Sequence, residues 1–408
     1  MNTQSHPVLT RLVMVVLTLA WLTAYGHVVQ AQQLTHLQGR VYLNDTLPAA
    51  YATIFLPQHG IGTVTDDQGN YQLDNVPVGE SVTVEYAFLG YKTLQARLSL
   101  PLPNHRYAHD QRLTEQPIAL AEVYLTPKGE DPCTYIFRKL REQGKVNRKR
   151  LQSYTALCEG NMHVQDLDVF MAVIPSAVRT MLHALLRPFG LKALFDYVAS
   201  APNVDVAYRY TQTWSNGSVH NTGMSILSAQ PAIPSKAQQQ FSKFQISDFF
   251  DLFYGVDNSR NAKKKPKQWQ LKGVIEENGL TIDVLTRTAV SDSVRLEYTY
   301  YIIEDLWSVL RFESRSSNGS ISRYECRDIG GGIYLPVLYV TNPMPLNLDD
   351  VFEQARRNYE EAQAKGEKDK VEKGILERYD KVMVGRSSVN INIVTPYTIR
   401  YSGVSVSR

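Results

Sequence analysis

The sequence has few cysteines, little net charge and no long hydrophobic run beyond its N-terminal segment. Only three of its 408 residues are cysteine, and 43 Lys and Arg stand against 40 Asp and Glu. A net charge of only +3 argues against a nucleic-acid-binding surface spread over the molecule. After the N-terminal segment no stretch has about 18 uninterrupted apolar residues, so no transmembrane helix is expected there. What remains is the composition of an ordinary globular protein.

Familiar catalytic and metal-binding motifs are also missing. The sequence has no Gly-x-Ser-x-Gly nucleophile elbow and no Gly-x-x-x-x-Gly-Lys phosphate loop. His105 and His109 are four residues apart, but they lie in a proline-rich segment, where this spacing does not put them on one helix face. We therefore predict no catalytic residue, no cofactor and no metal site, and we expect that the protein is not an enzyme. A hydrolase whose carboxylates come from distant segments stays open as an alternative.

The first 31 residues have the pattern of a secretory signal peptide. Arg11 precedes a near-apolar run at 12–22, which is too short to span a bilayer. Val29 and Ala31 supply small residues before a cleavage site, so the mature chain is expected to begin at Gln32. We expect an exported protein that lies in the periplasm or is associated with the outer membrane.

The three cysteines are Cys133, Cys158 and Cys326. None are in CxxC spacing, and no zinc pattern surrounds them. Export permits one disulfide, for which Cys133 and Cys158 are the shortest pair. Three free thiols are the equally weighted alternative, and the sequence does not decide between them.

Residues 37–100 alternate apolar and polar side chains between regularly spaced turns, which predicts a compact β-sandwich. The stretch 66–70, Asp-Asp-Gln-Gly-Asn, is predicted to be a hairpin turn in which Gly69 adopts a positive φ. A calcium loop starting at Asp66 is disfavoured, because its twelfth position is Pro77 and not a glutamate.

Six short motifs follow one another in this region. They are Gly39-Arg40-Val41, the stretch 48–54, the stretch 62–66, Gly69-Asn70-Tyr71, Val76-Pro77-Val78-Gly79 and Gly90-Tyr91-Lys92. Their order resembles the carboxypeptidase-regulatory-like (prealbumin-like) domain. The resemblance implies a β-sandwich over residues 32–100, of a kind found at the N-terminus of many outer-membrane proteins. It implies no zinc site, because this domain is the accessory module of metallocarboxypeptidases and not the catalytic one.

Residues 101–130 are predicted to be a linker and a strand, since proline and asparagine precede an alternating stretch at 120–127. An Asp-Pro pair then predicts a helix near 131–143. Followed by a Ser-Tyr-Thr strand at 153–155, this order is similar to a family of uncharacterised Bacteroidota cell-envelope proteins. Members of that family often continue into an outer-membrane barrel. This chain stops at Arg408 without an evident barrel, which argues against a channel.

Residues 131–408 are predicted to form a larger antiparallel β-domain. Consecutive hairpins at about 12-residue spacing predict a curved sheet, and 389–402 is predicted to be its closing strand. Within it, the stretch 307–336 resembles the half-barrel of LolA-like lipoprotein carriers, where a curved sheet cups an apolar cavity under helices. The predicted fold is therefore mainly β: an N-terminal prealbumin-like β-sandwich followed by a curved antiparallel sheet with helical insertions.

Residues 168–200 have apolar residues near helical spacing, and a second, charge-dense helical stretch is predicted near 349–379. The first stretch is expected to pack on the open face of the sheet. The functional alternative is a lid over an apolar ligand, or a segment that lies on a membrane. The residues predicted to contact an apolar ligand or to form the lid are Phe170, Met171, Leu182, Leu186 and Phe195.

Four lysines form a basic segment: Lys263, Lys264, Lys265 and Lys267. A solvated loop is the expected structure. The functional alternative is contact with an anionic surface, such as anionic lipid or lipopolysaccharide.

Together these features predict a non-enzymatic binding or assembly protein at the periplasmic side of the outer membrane. The N-terminal domain predicts a protein partner in the outer membrane or periplasm. The first alternative is a periplasmic carrier of lipid or lipoprotein with an apolar cup, and the second is a hydrolase with an unrecognised site. Nucleic acid is not an expected partner, because an exported protein rarely meets a cytosolic polyanion.

Overall fold

The chain has two β-rich domains in a computed structural model. The structure describes residues 33–407 except 45, 89, 120–125, 127–128, 174–179, 181–183, 185–190, 242–267, 292–293, 318, 343–345, 366–369 and 384–389. The predicted signal peptide at 1–31 and most of the predicted strand at 120–127 lie outside the described residues.

The first domain is a β-sandwich. In one sheet β1 pairs antiparallel with β2 and β5 and parallel with β8 and β9, and the other sheet has the order β4-β3-β6-β7. Its described strands are β1 (Leu34–Leu43), β2 (Leu47–Pro48), β3 (Thr53–Leu56), β4 (Ile61–Val64), β5 (Asn70–Pro77), β6 (Gly79–Ala87), β7 (Leu94–Leu100), β8 (Arg106–Ala108) and β9 (Gln111–Leu113).

The core of this sandwich follows from the alternation in its strands. Leu37 and Val41 of β1 are fully buried, as are Ile54 of β3 and Val84 and Tyr86 of β6. Leu37 and Val41 are four positions apart and Val84 and Tyr86 are two apart, so both side chains of each pair point to the same face.

The segment predicted to be a linker differs from the prediction. Residues 106–108 and 111–113 are strands that pair with β1, whose carbonyl at Gln38 accepts from His109 N at 2.8 Å. Proline and asparagine occur in the turns of this segment, but the backbone N–H and C=O groups on the second edge of β1 also need hydrogen-bond partners. The strands β8 and β9 supply these partners, and so the sandwich extends past residue 100.

The second domain is built on one large antiparallel sheet. Its order is β12-β11-β10-β20-β18-β17-β16-β15-β14-β13, and β19 pairs with β20. The strands are β10 (Leu151–Gln165), β11 (Asn203–Ser215), β12 (Ser218–Gln230), β13 (Gln270–Glu277), β14 (Leu280–Ser291), β15 (Val294–Ile303), β16 (Ser308–Ser316), β17 (Ile321–Asp328), β18 (Tyr334–Asn342), β19 (Leu346–Asn347) and β20 (Asn390–Val406).

Helices lie between these strands. The helix near 131–143 is longer than predicted, because the apolar stripe of Ile136, Phe137 and Leu140 stays buried against the sheet. Asp131 caps it by accepting from Thr134 N at 2.9 Å. The described helices are α1 (Pro132–Arg150), α2 (Leu167–Val173), α3 (Lys192–Val198), α4 (Ser235–Phe241), α5 (Leu348–Ala364) and α6 (Lys370–Val382).

Among the described residues, no helix combines the length and the hydropathy needed to cross a membrane.

Cys133, Cys158 and Cys326 are free thiols buried in the core of the second domain. The structure therefore has the unbonded arrangement and not the disulfide. Burial raises the pKa of the Cys133 and Cys158 thiols to about 12, so both are neutral.

Candidate functional site

A row of aromatic rings crosses the large sheet on the face that carries α1 and α4. Five of the rings lie directly opposite one another in the strand register from β15 to β20, and the sixth, on β11, lies across Gly160 of β10. We call this set the aromatic row: Tyr300, Phe312, Tyr324, Tyr339, Tyr397 and Tyr208. Side chains opposite each other on one face of a sheet are direct neighbours, so the rings touch.

The contacts run without interruption through the middle of the sheet. Ring centroids are 4.6 Å apart for Tyr300 and Phe312, 5.8 Å for Phe312 and Tyr324, and 4.5 Å for Tyr324 and Tyr339. The next steps are 5.4 Å from Tyr339 to Tyr397 and 5.9 Å from Tyr397 to Tyr208. All these separations lie in the range of favourable aromatic pairs.

Gly160 makes the last step possible. It lies on β10 between Tyr397 of β20 and Tyr208 of β11. A Cβ at this position would lie 2.5 Å from Cζ of Tyr208. The glycine leaves room for the Tyr208 ring to lie over β10 and reach Tyr397.

The two ends of the row are closed by helices, and its centre is more open. Phe241 of α4 packs on Tyr208 at 4.8 Å, and Phe137 of α1 packs on Tyr300 at 5.7 Å. The outer rings are buried, whereas three adjacent rings are half-buried: Phe312, Tyr324 and Tyr339. Burial raises the pKa of the phenols at Tyr208, Tyr324 and Tyr397 above the ordinary value. The row is therefore an uncharged surface with an open centre.

The opposite face of the same strands carries a buried ionic cluster. We define it as Glu277, Arg311, Arg323 and Glu325. Arg311 Nε donates to Glu325 Oε1 at 2.9 Å, and Arg323 Nη2 donates to the same oxygen at 2.6 Å. Burial by itself would raise the pKa of Glu325, but the neighbouring guanidinium groups outweigh it and hold the pKa at about 2.

The first domain covers the ionic cluster. Thr93 Oγ1 donates to Glu277 Oε1 at 2.9 Å, and Arg327 of β17 forms an ion pair with Glu85 of β6. The Arg315 guanidinium lies 5.0 Å from the ring centroid of Phe88. The sheet of β4, β3, β6 and β7 therefore faces the second domain.

Of the residues predicted to form a ligand contact or lid, the structure describes the side chains of two, which lie on different helices. Phe195 lies on α3, half-buried against the core of the second domain, and Met171 is half-buried on α2. Phe170 is also on α2, but its side chain lies outside the described residues, as do Leu182 and Leu186.

One of these helices is connected to the aromatic row. On α3, Leu194 N donates to Gln240 Oε1 of α4 at 2.9 Å, next to Phe241 at the end of the row. By contrast, α2 contacts α6, where Arg378 Nε donates to the carbonyl of Val173 at 2.8 Å. The predicted anionic-surface lysines at 263–265 and 267 lie outside the described residues.

Sequence reasoning missed the aromatic row. The signal that could have found it was the 24 tyrosines, with one aromatic residue at an alternating position on strand after strand. These aromatic residues come from different strands, and only the pairing register of the strands places them in one row.

The comparisons with known proteins agree with the architecture of the N-terminal region. Residues 37–128 match the CarboxypepD_reg-like domain family. The first domain is a CarboxypepD_reg-like domain. The matched segment continues beyond β9, in agreement with the strands found past residue 100. No curated protein is similar enough to the chain to count as a match.

Several solved structures share weak similarity with the chain. A DUF1329 family protein from Desulfovibrio piger is 9% identical, with 68% of this chain and 93% of that chain covered and a TM-score of 0.22. A LolA-superfamily protein from Nitrosomonas europaea is 9% identical, with 68% and 94% covered and a TM-score of 0.23. A Bacteroides fragilis protein described as membrane-associated and of unknown function is 10% identical, with 91% and 99% covered and a TM-score of 0.16. TM-scores this low support no inference about the present chain.

Among the described residues, no group of three or more His, Cys, Asp and Glu is placed to hold a metal ion.

Proposed function

We propose that the protein is a non-enzymatic binding protein of the cell envelope, and that it holds an apolar ligand such as a lipid acyl chain on the aromatic row. The observation that carries the proposal is the set of three half-buried rings at the centre of the row: Phe312, Tyr324 and Tyr339. Binding sites for small apolar molecules are lined mainly by aromatic and aliphatic side chains with few polar groups.

The dimensions support an acyl chain. The three rings stand on β16, β17 and β18, and neighbouring strands are about 4.8 Å apart, so these strands span roughly 10 Å. The hydrocarbon core of a bilayer is about 30 Å thick, so the acyl chains of one leaflet are roughly 15 Å long, which exceeds this span. A single chain laid across the three strands therefore covers all three rings.

The chemistry of the row supports binding and not catalysis. Its polar atoms are tyrosine hydroxyls, and burial raises the pKa of those at Tyr208, Tyr324 and Tyr397. A neutral phenol with a raised pKa is a poor nucleophile and a poor general base at neutral pH. The signal-peptide pattern of the N-terminus supports a location in the periplasm or at the outer membrane, where the lipids of the membrane supply acyl chains.

The test is a titration of the protein lacking its first 31 residues with dansyl-undecanoic acid, a fluorescent fatty acid. We expect saturable binding with enhanced dansyl emission. Tyr324→Asp places a carboxylate among the rings and should weaken binding at least tenfold, whereas Tyr324→Phe keeps the ring and should bind like the unmodified protein. Native mass spectrometry of protein extracted gently from membranes should also show a bound lipid.

Tyr42→Asp is the matched control, because Tyr42 is a half-buried tyrosine on β1 of the first domain, away from the row. It should leave binding unchanged, and circular dichroism should show that each variant is folded. The proposal is wrong if no saturable binding occurs and no lipid co-purifies. It is also wrong if Tyr42→Asp and Tyr324→Asp weaken binding equally. The predicted protein partner stays a prediction.

A further inference from the structure

A cleft of about 780 Å³, lined by both polar and apolar groups, lies where the first domain meets β10 and β20. One wall comes from β1, β5 and the turn at 66–70, and the other from the ends of β10 and β20 near Asn161 and Pro396. Its volume is within the range of small-molecule sites. Asn161 is one residue beyond Gly160, so the cleft opens on the sheet face opposite to the aromatic row.

The polar side chains of the cleft are mostly amides and carboxylates. Gln38 and Gln72 line the first wall and Asn161 and Gln165 the second, beside the carboxylates of Asp67 and Asp110. An amide both donates and accepts hydrogen bonds, and a carboxylate accepts several. This combination suits a ligand with many hydroxyl groups, each of which also donates and accepts.

The charges of the cleft disfavour an anionic ligand. Asp66, Asp67 and Asp110 line it together with one arginine, Arg40, and one histidine, His163. Among the described residues that line it there is no lysine. A phosphorylated or carboxylated ligand would meet like charges.

Several of these groups are held in place before any ligand arrives. Asp66 accepts from Gln68 N at 2.9 Å and from Asn70 N at 2.8 Å, and Asp110 accepts from Arg40 N at 2.8 Å. Groups that are already ordered lose less entropy when they bind a ligand.

Tyr51 links the cleft to both domains. Its hydroxyl donates to the Asp67 carboxylate and accepts from Asn342 Nδ2 of β18 at 3.4 Å. Its φ is +61°, which costs energy for a residue with a side chain. The bonds to Asp67 and Asn342 hold this conformation at the wall of the cleft.

We propose that this cleft binds a short neutral oligosaccharide, whose hydroxyls bond to amides of both domains at once. Val394 and Pro396 add an apolar surface on the second wall, against which the C–H face of a sugar ring can pack. This site is separate from the aromatic row, so its function does not depend on the lipid proposal.

The test is isothermal titration calorimetry of the protein lacking its first 31 residues. The probes are neutral trisaccharides (maltotriose, cellotriose, mannotriose and chitotriose), with trigalacturonic acid and trilysine as charged comparisons. We expect saturable binding of at least one neutral trisaccharide and none of trigalacturonic acid. Gln38→Ala and Asn161→Ala, one from each wall, should each weaken binding about tenfold, since each removes at least one hydrogen bond to the ligand.

Gln152→Ala is the matched control, because Gln152 is an exposed amide on the same strand as Asn161 but does not line the cleft. It should change the affinity less than twofold, and so should Tyr324→Asp in the aromatic row. The proposal is overturned if none of the neutral trisaccharides binds, or if binding survives both wall variants unchanged. It is equally overturned if trilysine alone binds and Asn161→Ala abolishes that binding, because the cleft would then be a site for basic peptides.

Discussion

The two faces of the large sheet use opposite chemistry on the same strands. Tyr300, Phe312 and Tyr324 point to the helices, and their sequence neighbours Tyr301, Arg311 and Arg323 point to the first domain. Successive residues of a strand point to opposite faces, so one short stretch of sequence builds both surfaces.

The difference shows how each face is completed. The ionic cluster needs a partner in a fixed position, because buried charges are tolerated only when their ion pairs and hydrogen bonds are satisfied. The first domain supplies such a partner in Thr93, which donates to Glu277, and beside the cluster its Glu85 pairs with Arg327. The aromatic row does not need a partner in a fixed position, since apolar contact is not directional. A face of this kind suits an exchangeable ligand, whereas the ionic face suits a permanent interface.

The largest effect should come from breaking the ionic cluster. Arg311→Met removes one of the two guanidinium donors to Glu325 and the guanidinium donor to Glu277, and it leaves buried carboxylate charge, so the free energy of unfolding should fall by about 3–5 kcal/mol. Urea unfolding followed by circular dichroism measures it. Arg295→Met is the control, because Arg295 and Glu297 are exposed by 62% and 54%, and the loss there should be under about 1 kcal/mol. Equal losses in the two variants would contradict a special role of the buried pair.

The second-largest effect should be the loss of stability of the ionic cluster in acid. The folded-state pKa of Glu325 is about 2, below its ordinary value of 4.5. The unfolded state therefore takes up the proton first, and the stabilisation present above pH 4.5 is lost as the pH falls towards 2. The total loss is about 3 kcal/mol from this group. Urea unfolding at a series of acid pH values should show a smaller pH slope in Glu325→Gln, and an unchanged slope would rule out this assignment.

A smaller effect is expected on the aromatic face from Gly160→Ala. The added Cβ would lie 2.5 Å from the Tyr208 ring, which is itself buried, so the ring must shift. Overpacking of this kind costs about 1–3 kcal/mol in unfolding free energy. Affinity for dansyl-undecanoic acid should fall as well, because the row is displaced at Tyr208.

The control for that variant is Gly374→Ala on α6. There the nearest atom to a new Cβ is 3.6 Å away, on the Arg378 side chain. An alanine in a helix should stabilise by up to about 1 kcal/mol. If both glycine variants change stability in the same direction, the steric role of Gly160 is refuted.

The smallest effect should come from the interdomain bond of Thr93. Thr93→Val removes the donor to Glu277 and should cost about 1 kcal/mol. Thermal unfolding by differential scanning calorimetry measures the shift. Thr222→Val, at an exposed site on β12, is the control and should have no measurable cost. A loss no larger than that of the control would mean that this contact contributes nothing to the interface.

Local features were predictable from the sequence. The turn at 66–70 has the expected Gly69 with φ of +78°, and Asp131 caps α1 as its position before proline indicates. Both depend on bonds between residues a few positions apart. The carboxypeptidase-regulatory-like domain and the mainly β fold were predicted correctly on the same kind of local pattern.

Features that depend on strand neighbours were not predictable in this way. We did not predict β12 or α4, although an Asn-Gly turn at 216–217 precedes β12. The lid prediction for 168–200 rested on helical spacing, which does not say which sheet face a helix covers. In the structure α3 joins the end of the row through α4, while α2 contacts α6.

The sequence by itself determined which side chains share a face of each strand, because a two-residue period is local. Only the tertiary structure decided which strands are neighbours. The C-terminal strand β20 lies between β10 and β18, and so it brings Tyr397 beside Tyr339 and next to Gly160. These residues are far apart in the chain, and their order and register are set by the packing of the whole sheet.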